Sequence, residues 1–188
     1  QTGKCSMTDR SGIICAGNWI VDLIHDLDRW PNESELVRIG TQARGVGGGP
    51  ANVITALAKL ETGLPLYPMG AIGEDEYGAF ILKECRHLGL PTSGLISKTD
   101  VATAHTHVMS VAGQSRTFFY QGGANDTLNI NDFPEGTFKD TCARIFYLGY
   151  LTLLRDLDQI LDDNSTNAAG VLKRAQNAGL ITCVDLVS

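Results

Sequence analysis

Four short apolar runs, residues 12–16, 64–71, 144–148 and 180–184, return along the chain, and the stretches between them carry apolar residues at helical spacing. Apolar runs without alternation belong to strands covered on both faces, and strands separated by helices cross over and pair in parallel. The pattern predicts an α/β fold: a parallel sheet with helices on both sides and ligand sites beyond the carboxyl ends of the strands. Gly17 to Asp22, Gly149 and Asp185 all fall at such ends. One helix has both ends marked. Asp75 caps its start, Tyr77, Ile81, Cys85 and Leu88 form its buried stripe, and Gly89 stops it. A second runs from Asn167 to Ala178, with Leu172 and Ala175 buried and Gly179 as its stop.

Two regions break this pattern. From Leu36 to Arg44 the residues Val37, Ile39, Thr41 and Ala43 alternate with Arg38, Gly40, Gln42 and Arg44, the period of a strand with one wet face. Val101 to Val111 and Arg116 to Gln121 read as a hairpin across Ala112-Gly113-Gln114-Ser115. Together they predict a small antiparallel sheet, spanning roughly residues 36–44 and 101–121, inserted in a single α/β core. His105 and His107 share a face of the hairpin, but with no third ligand nearby they read as packed or solvated side chains rather than a metal site.

The stretch with the clearest chemistry is Gly45-Val46-Gly47-Gly48-Gly49-Pro50-Ala51-Asn52, which leads into a helix whose Val53, Ile54, Leu57 and Leu60 share one face. Glycines let a ligand approach bare backbone, and Pro50 suits a first helical turn. The free amides there favour an anion or hydroxyl oxygens, with Asn52 adding a donor and an acceptor. No Lys-Ser or Lys-Thr follows, so this is not a P-loop, and Pro50 replaces the third glycine of a dinucleotide fingerprint. An ordinary strand-to-helix connection is the competing reading. Asp22, set among the apolar residues 19–24, needs backbone donors, a cation or ligand hydroxyls, unless it caps a turn.

The formal charge of −6, from 15 basic and 21 acidic residues without a basic cluster, disfavours nucleic acid and anionic membranes as partners. The polar amino end carries no apolar signal core, and no apolar run spans a bilayer, so a cytoplasmic protein is expected. Five dispersed cysteines, none in a C-x-x-C pair, suggest neither disulfides nor zinc; Cys15, Cys142 and Cys183 read as small core residues.

Several segments, in order, resemble the amino-terminal half of the ribokinase family, the PfkB-type carbohydrate kinases, and most of all its fructokinase-type members. They are Gly47-Gly48-Gly49-Pro50-Ala51-Asn52-Val53 with residues 56–60, Met69 to Gly78, Arg116 to Tyr120 leading to Gly123-Ala124-Asn125, and Tyr147-Leu148-Gly149-Tyr150. The resemblance implies a ribokinase-like three-layer α/β/α sandwich with a small β lid, and transfer of the ATP γ-phosphate to a sugar hydroxymethyl group. It places the sugar against Asp22, the backbone of Gly47 and Gly48, and Asn52, with Asn18, Gly49 and Gly149 as further candidates. Where ribokinases proper carry an asparagine, a lysine and a glutamate, this chain has Ile20, Gly49 and Gly149, so a hexose or keto-sugar is favoured over ribose, with a nucleoside as an alternative. The family's catalytic base, anion hole and magnesium-linked N-x-x-E motif lie beyond Ser188. ATP and Mg2+ are therefore implied as cofactors without their main binding motifs, no catalytic or metal-binding residue is expected in this chain, and the 188 residues alone are expected to be inactive. A non-catalytic sugar-binding relative is a second reading, and a nucleoside hydrolase using Asp22 a third. The aromatic Phe118, Phe119 and Tyr120 suggest homodimers paired through the lid.

Overall fold

The computed structural model describes residue 6 and residues 9–187; Cys5, most of the polar amino end and Ser188 lie outside the described residues. In chain order the strands are β1 (Gly12–Gly17), β2 (Ile20–Leu27), β3 (Ile39–Gly47), β4 (Leu66–Gly73), β5 (Leu95–Lys98), β6 (His105–Val111), β7 (Thr117–Gln121), β8 (Ala143–Leu151) and β9 (Ile181–Leu186). The helices are α1 (Gly49–Lys59), α2 (Glu76–His87), α3 (Glu135–Lys139), α4 (Arg155–Asp158) and α5 (Asn167–Asn177).

The unalternating apolar runs form one parallel sheet in the order β5-β4-β1-β8-β9. In the central strands successive side chains point to opposite faces, and both faces are covered. Ile14 and Ala16 of β1 pack on one side with Val171 and Ala175 of α5, and with Phe133, Phe138 and Phe146. Cys15 packs on the other with Ile54 of α1 and Ile81 and Cys85 of α2. Helix, sheet and helix therefore make three layers. Each fully buried Phe or Ile contributes about 1.5–3 kcal/mol relative to exposure, which explains why these strands tolerate no polar alternation.

The helix stops read from the sequence hold. Asp75 accepts from the Gly78 amide at 2.8 Å, and Gly89 and Gly179 take φ of +69° and +85° just past their helices. Asp75 also accepts from the Thr103 amide and hydroxyl at 2.7 and 2.6 Å, tying the start of α2 to the segment that enters β6.

Five expectations need correction. The smaller sheet has four strands, β3-β2-β6-β7, because residues 20–27 form a strand that the sequence reading left out. It is mixed rather than antiparallel, since β2 and β6 run in parallel. Its edge strand β3 starts at Ile39 rather than Leu36, continues to Gly47, and is exposed on both faces over most of its length, so its alternation marks no buried side. Leu60, counted on the buried face of the glycine-loop helix, lies just past α1 and is 71% exposed. At the edge of the five-stranded sheet, β9 is not a buried strand: Ile181, Val184 and Leu186 are exposed, and so is Cys183, because nothing among the described residues covers that side of the sheet.

Candidate functional site

The site begins where β1 ends. Gly17 turns with φ +120° so close to Gly149 that a Cβ would lie 2.3 Å from the Gly149 carbonyl oxygen. That turn delivers Asn18 and Trp19 into the core, exposed 0% and 1%. Asn125 clamps Trp19 by accepting from its amide at 3.2 Å and donating to its carbonyl at 2.9 Å, while the Trp19 indole donates to the Met69 carbonyl at 2.8 Å. With Trp19 fixed, β2 leaves the core in a set direction and Asp22 comes opposite Gly45 of β3.

The three glycines that follow are held for different reasons. A Cβ on Gly47 would lie 2.1 Å from an Asp22 carboxylate oxygen, so the carboxyl group rests on the bare Cα of that residue. Gly48 has φ +96°, and a Cβ there would lie 2.0 Å from the Asn18 carbonyl oxygen, so a side chain is excluded by both conformation and space. Gly49 is pressed against Tyr150 and Tyr147, and Gly149 against Tyr147 and Pro50. The loop is thus more than a generic connection: it is shaped on one side by packing, while Gly48 opens on the other.

What it opens onto is a cavity of about 550 Å³ between the two sheets. Asp22, Gly48 and Asn52 line it, together with Ile20, Thr106, Arg116, Phe118, Tyr120, Tyr150, Thr152, Leu153 and Val187. Of the sequence candidates, Gly47 lies under Asp22 and Asn18 directly behind Gly48; Gly49 and Gly149 shape the floor without lining it. Another hollow of about 470 Å³, beside the amino-terminal part of β4, gathers none of these residues.

The polar groups around the cavity are underused. Asp22 has no hydrogen-bond or ion-pair partner among the described residues, nor does the side chain of Asn52. The Asn18 Oδ1 is buried without a partner, whereas its Nδ2 donates to the Tyr120 hydroxyl at 3.0 Å and the Leu153 carbonyl at 3.2 Å. Burial raises the Asp22 carboxyl above its ordinary pKa, and the nearby Arg116 charge opposes that rise. Buried acceptors lacking partners are costly, and a ligand bearing hydroxyls would satisfy them. Thiol chemistry has no place here: burial pushes Cys15 up to about 12 and Cys85 to about 11. No group of three or more His, Cys, Asp or Glu that could hold a metal ion occurs among the described residues. His105 and His107 pack with Tyr77 and His25.

Arg116, Thr106, Thr152 and Leu153 escaped the sequence reading as site residues. Arg116 lies in the turn of the hairpin just before β7, where a lone cation gives no signal of a site by itself. Tyr150 and Thr152 reach the cavity because they adopt φ of +61° and +83°, which is unusual for residues other than glycine and has no sequence signature.

The chain is similar to several known proteins. A 5-dehydro-2-deoxygluconokinase of Listeria innocua is 33% identical over 104 residues, 54% of this chain and 31% of that protein. A probable fructokinase-5 of Arabidopsis thaliana is 25% identical over 175 residues, 92% of this chain and 50% of that protein. The ribokinase structure of Giardia lamblia superposes with a TM-score of 0.75 at 20% identity, covering 94% of this chain and 55% of that one, and this likeness shows a ribokinase-like fold. The chain therefore spans between about a third and just over half of the length of these relatives. Residues 10–183 match the pfkB family carbohydrate kinases, and the chain belongs to that family.

Proposed function

We propose that this chain supplies the sugar-binding part of a carbohydrate kinase that transfers the γ-phosphoryl group of ATP to a hydroxymethyl group of a hexose or keto-sugar. The observation that carries the reading is the convergence of the Asp22 carboxylate, the Gly48 backbone and the Asn52 amide on one cavity, with the first and last free of protein partners. A polyol presents paired donors and acceptors, and these groups complement it at hydrogen-bond range. Phosphoryl transfer depends on positioning and charge stabilisation, and Asp22 and Asn52 would contribute the positioning. Ile20, Gly49 and Gly149 stand where ribokinases proper carry an asparagine, a lysine and a glutamate, and these departures support a hexose or keto-sugar over ribose.

ATP would supply the transferred phosphoryl group and Mg2+ its charge neutralisation. No catalytic base is assigned within the 188 residues, and that polypeptide alone would not turn over. The four-stranded sheet β3-β2-β6-β7 would act as the lid over the sugar within a single domain, with lid-to-lid pairing of two copies and a cytoplasmic setting. No helix among the described residues is long and apolar enough to cross a membrane.

The test is to assay the complete gene product for ATP-dependent phosphorylation across a sugar panel and to compare it with Asp22→Asn. The reading expects phosphorylation of at least one hexose or keto-sugar and sugar affinity lowered by roughly 10- to 100-fold in the variant, the loss of a charge-assisted hydrogen-bond set. Sugar binding unaffected by Asp22→Asn would overturn it. Binding without turnover would move the assignment to a non-catalytic relative.

A further inference from the structure

Three oxygen-bearing side chains stand in one row across the small sheet. Asp22 of β2 pairs with Thr106 of β6, and Thr106 pairs in turn with Tyr120 of β7. Directly paired residues share a face, one strand spacing of about 4.8 Å apart, and all three line the cavity. The protein makes no use of the middle hydroxyl. Thr106 is only 5% exposed, yet its Oγ1 makes no hydrogen bond with any described residue. A buried hydroxyl in that position is costly unless something in the cavity bonds to it.

The far member of the row is polarised by its surroundings. The Asn18 Nδ2 donates to the Tyr120 hydroxyl at 3.0 Å and to the Leu153 carbonyl at 3.2 Å. A carbonyl only accepts, so the Asn18 amide cannot be turned round, and its nitrogen must face Tyr120 as well. The backbone of Trp19 fixes Asn125 in the same way, its carbonyl accepting from Nδ2 at 2.9 Å and its amide donating to Oδ1 at 3.2 Å. Burial raises the Tyr120 pKa, and hydrogen bonds from the Asn18 and Asn125 amides to the phenol oxygen oppose that rise. The phenol oxygen is thus occupied as an acceptor, and no described residue accepts its O–H. That proton is left for the cavity.

An acceptor at Asp22, a hydroxyl of either sense at Thr106 and a donor at Tyr120 give the row a direction. A ligand laid across β2, β6 and β7 must offer an O–H to Asp22, whereas a ring or keto oxygen fits at Thr106 or Tyr120 but not at Asp22. We propose that Thr106 and Tyr120 are specificity residues of this site, each holding one hydroxyl oxygen of the sugar, and that with Asp22 they fix which end of the sugar faces β2. The proposal rests on the cavity being the sugar site and adds two contacts and the orientation of the ligand.

The test titrates D-fructose, D-tagatose, D-glucose and D-mannose calorimetrically into the complete gene product, then takes the tightest binder through its monodeoxy forms. The wild type is compared with Thr106→Val, Tyr120→Phe and Asp22→Asn. Thr106→Val and Tyr120→Phe should each weaken the parent sugar by roughly 5- to 15-fold, the loss of one hydrogen bond. In each of the three variants one monodeoxy form should cost nothing further, and the three silent positions should differ and follow one another along the sugar in the order of the row. Thr106→Val removes a hydroxyl that no protein group uses, so its thermal midpoint should equal or exceed that of the wild type. Affinity unchanged in either Thr106→Val or Tyr120→Phe would overturn the proposal. So would a loss spread equally over every monodeoxy form, or a lowered midpoint in Thr106→Val, since the substitution would then act through the fold. Binding that Asp22→Asn weakens and the other two leave alone sinks this proposal and keeps the kinase reading. Binding indifferent to Asp22→Asn, or failure of every sugar to bind, removes both.

Discussion

Gly48 and Gly45 lie three residues apart and make opposite demands. A Cβ on Gly48 would lie 2.0 Å from a backbone oxygen at φ +96°, whereas a Cβ on Gly45 meets nothing within 4 Å. Gly48→Ala should therefore destabilise the protein by about 3 kcal/mol or more, through steric overlap and a strained φ together. Gly45→Ala should stay within about 0.5 kcal/mol. Chemical denaturation of the two variants checks the pair, and equal costs would refute the assignment of the close approach to Gly48. Asp22 and Asn52 could be named from sequence because a short acid after a core strand and an amide at a glycine-led helix start are local patterns. Arg116 could not, because its relevance depends on which way β7 folds back over β2 through β6. The Asn18 contact to Tyr120 spans residues 102 positions apart, and nothing local announces it.

Among the elements, the four-stranded sheet holds a second polar relay away from the cavity. With the Gln42 amide donating to His25 Nδ1 at 3.1 Å, His25 Nε2 is left to donate to His107 Nδ1 at 3.0 Å, which links β3, β2 and β6. His105, Tyr77 and Arg44 are the other titratable or charged groups on that side, from β6, α2 and β3. Burial first, then the neighbouring His25 and His105, lower the His107 pKa below its ordinary 6.5. The unfolded chain then takes up a proton more readily than the folded one, so stability is fully present above pH 6.5 and declines as pH falls through the lowered value. The denaturation midpoint should drop between pH 7.5 and 5.5, and His107→Gln should flatten that slope; a slope unaffected by the substitution would contradict the relay. The element pattern explains why the main sheet and three strands of the small one were legible and β2 was not. Buried parallel strands carry dense apolar runs, whereas β2 mixes Asp22, His25 and Asp26 with apolar residues and takes its strand form from its neighbours.

For the molecule as a whole, the exposed edge at β9 is the dominant feature. Ile181, Val184 and Leu186 are 54%, 49% and 67% exposed on a strand with one free side, a combination that invites association. The 188-residue polypeptide should self-associate at micromolar concentration in sedimentation runs, and Val184→Lys should reduce this more than Phe119→Lys on the small sheet. The reverse ranking would instead favour pairing through the exposed Phe118 and Phe119. That edge was misjudged from sequence because an apolar strand reads the same whether or not another layer covers it. Whether the hollow between the sheets is the sugar site is tested most directly by a crystal structure of the complete gene product with its preferred acceptor bound. It should show sugar hydroxyl oxygens about 3 Å from the Asp22 carboxylate and the Asn52 amide, with the ring or chain lying over Gly48. A sugar bound elsewhere, with Asp22 and Asn52 unengaged, would contradict it.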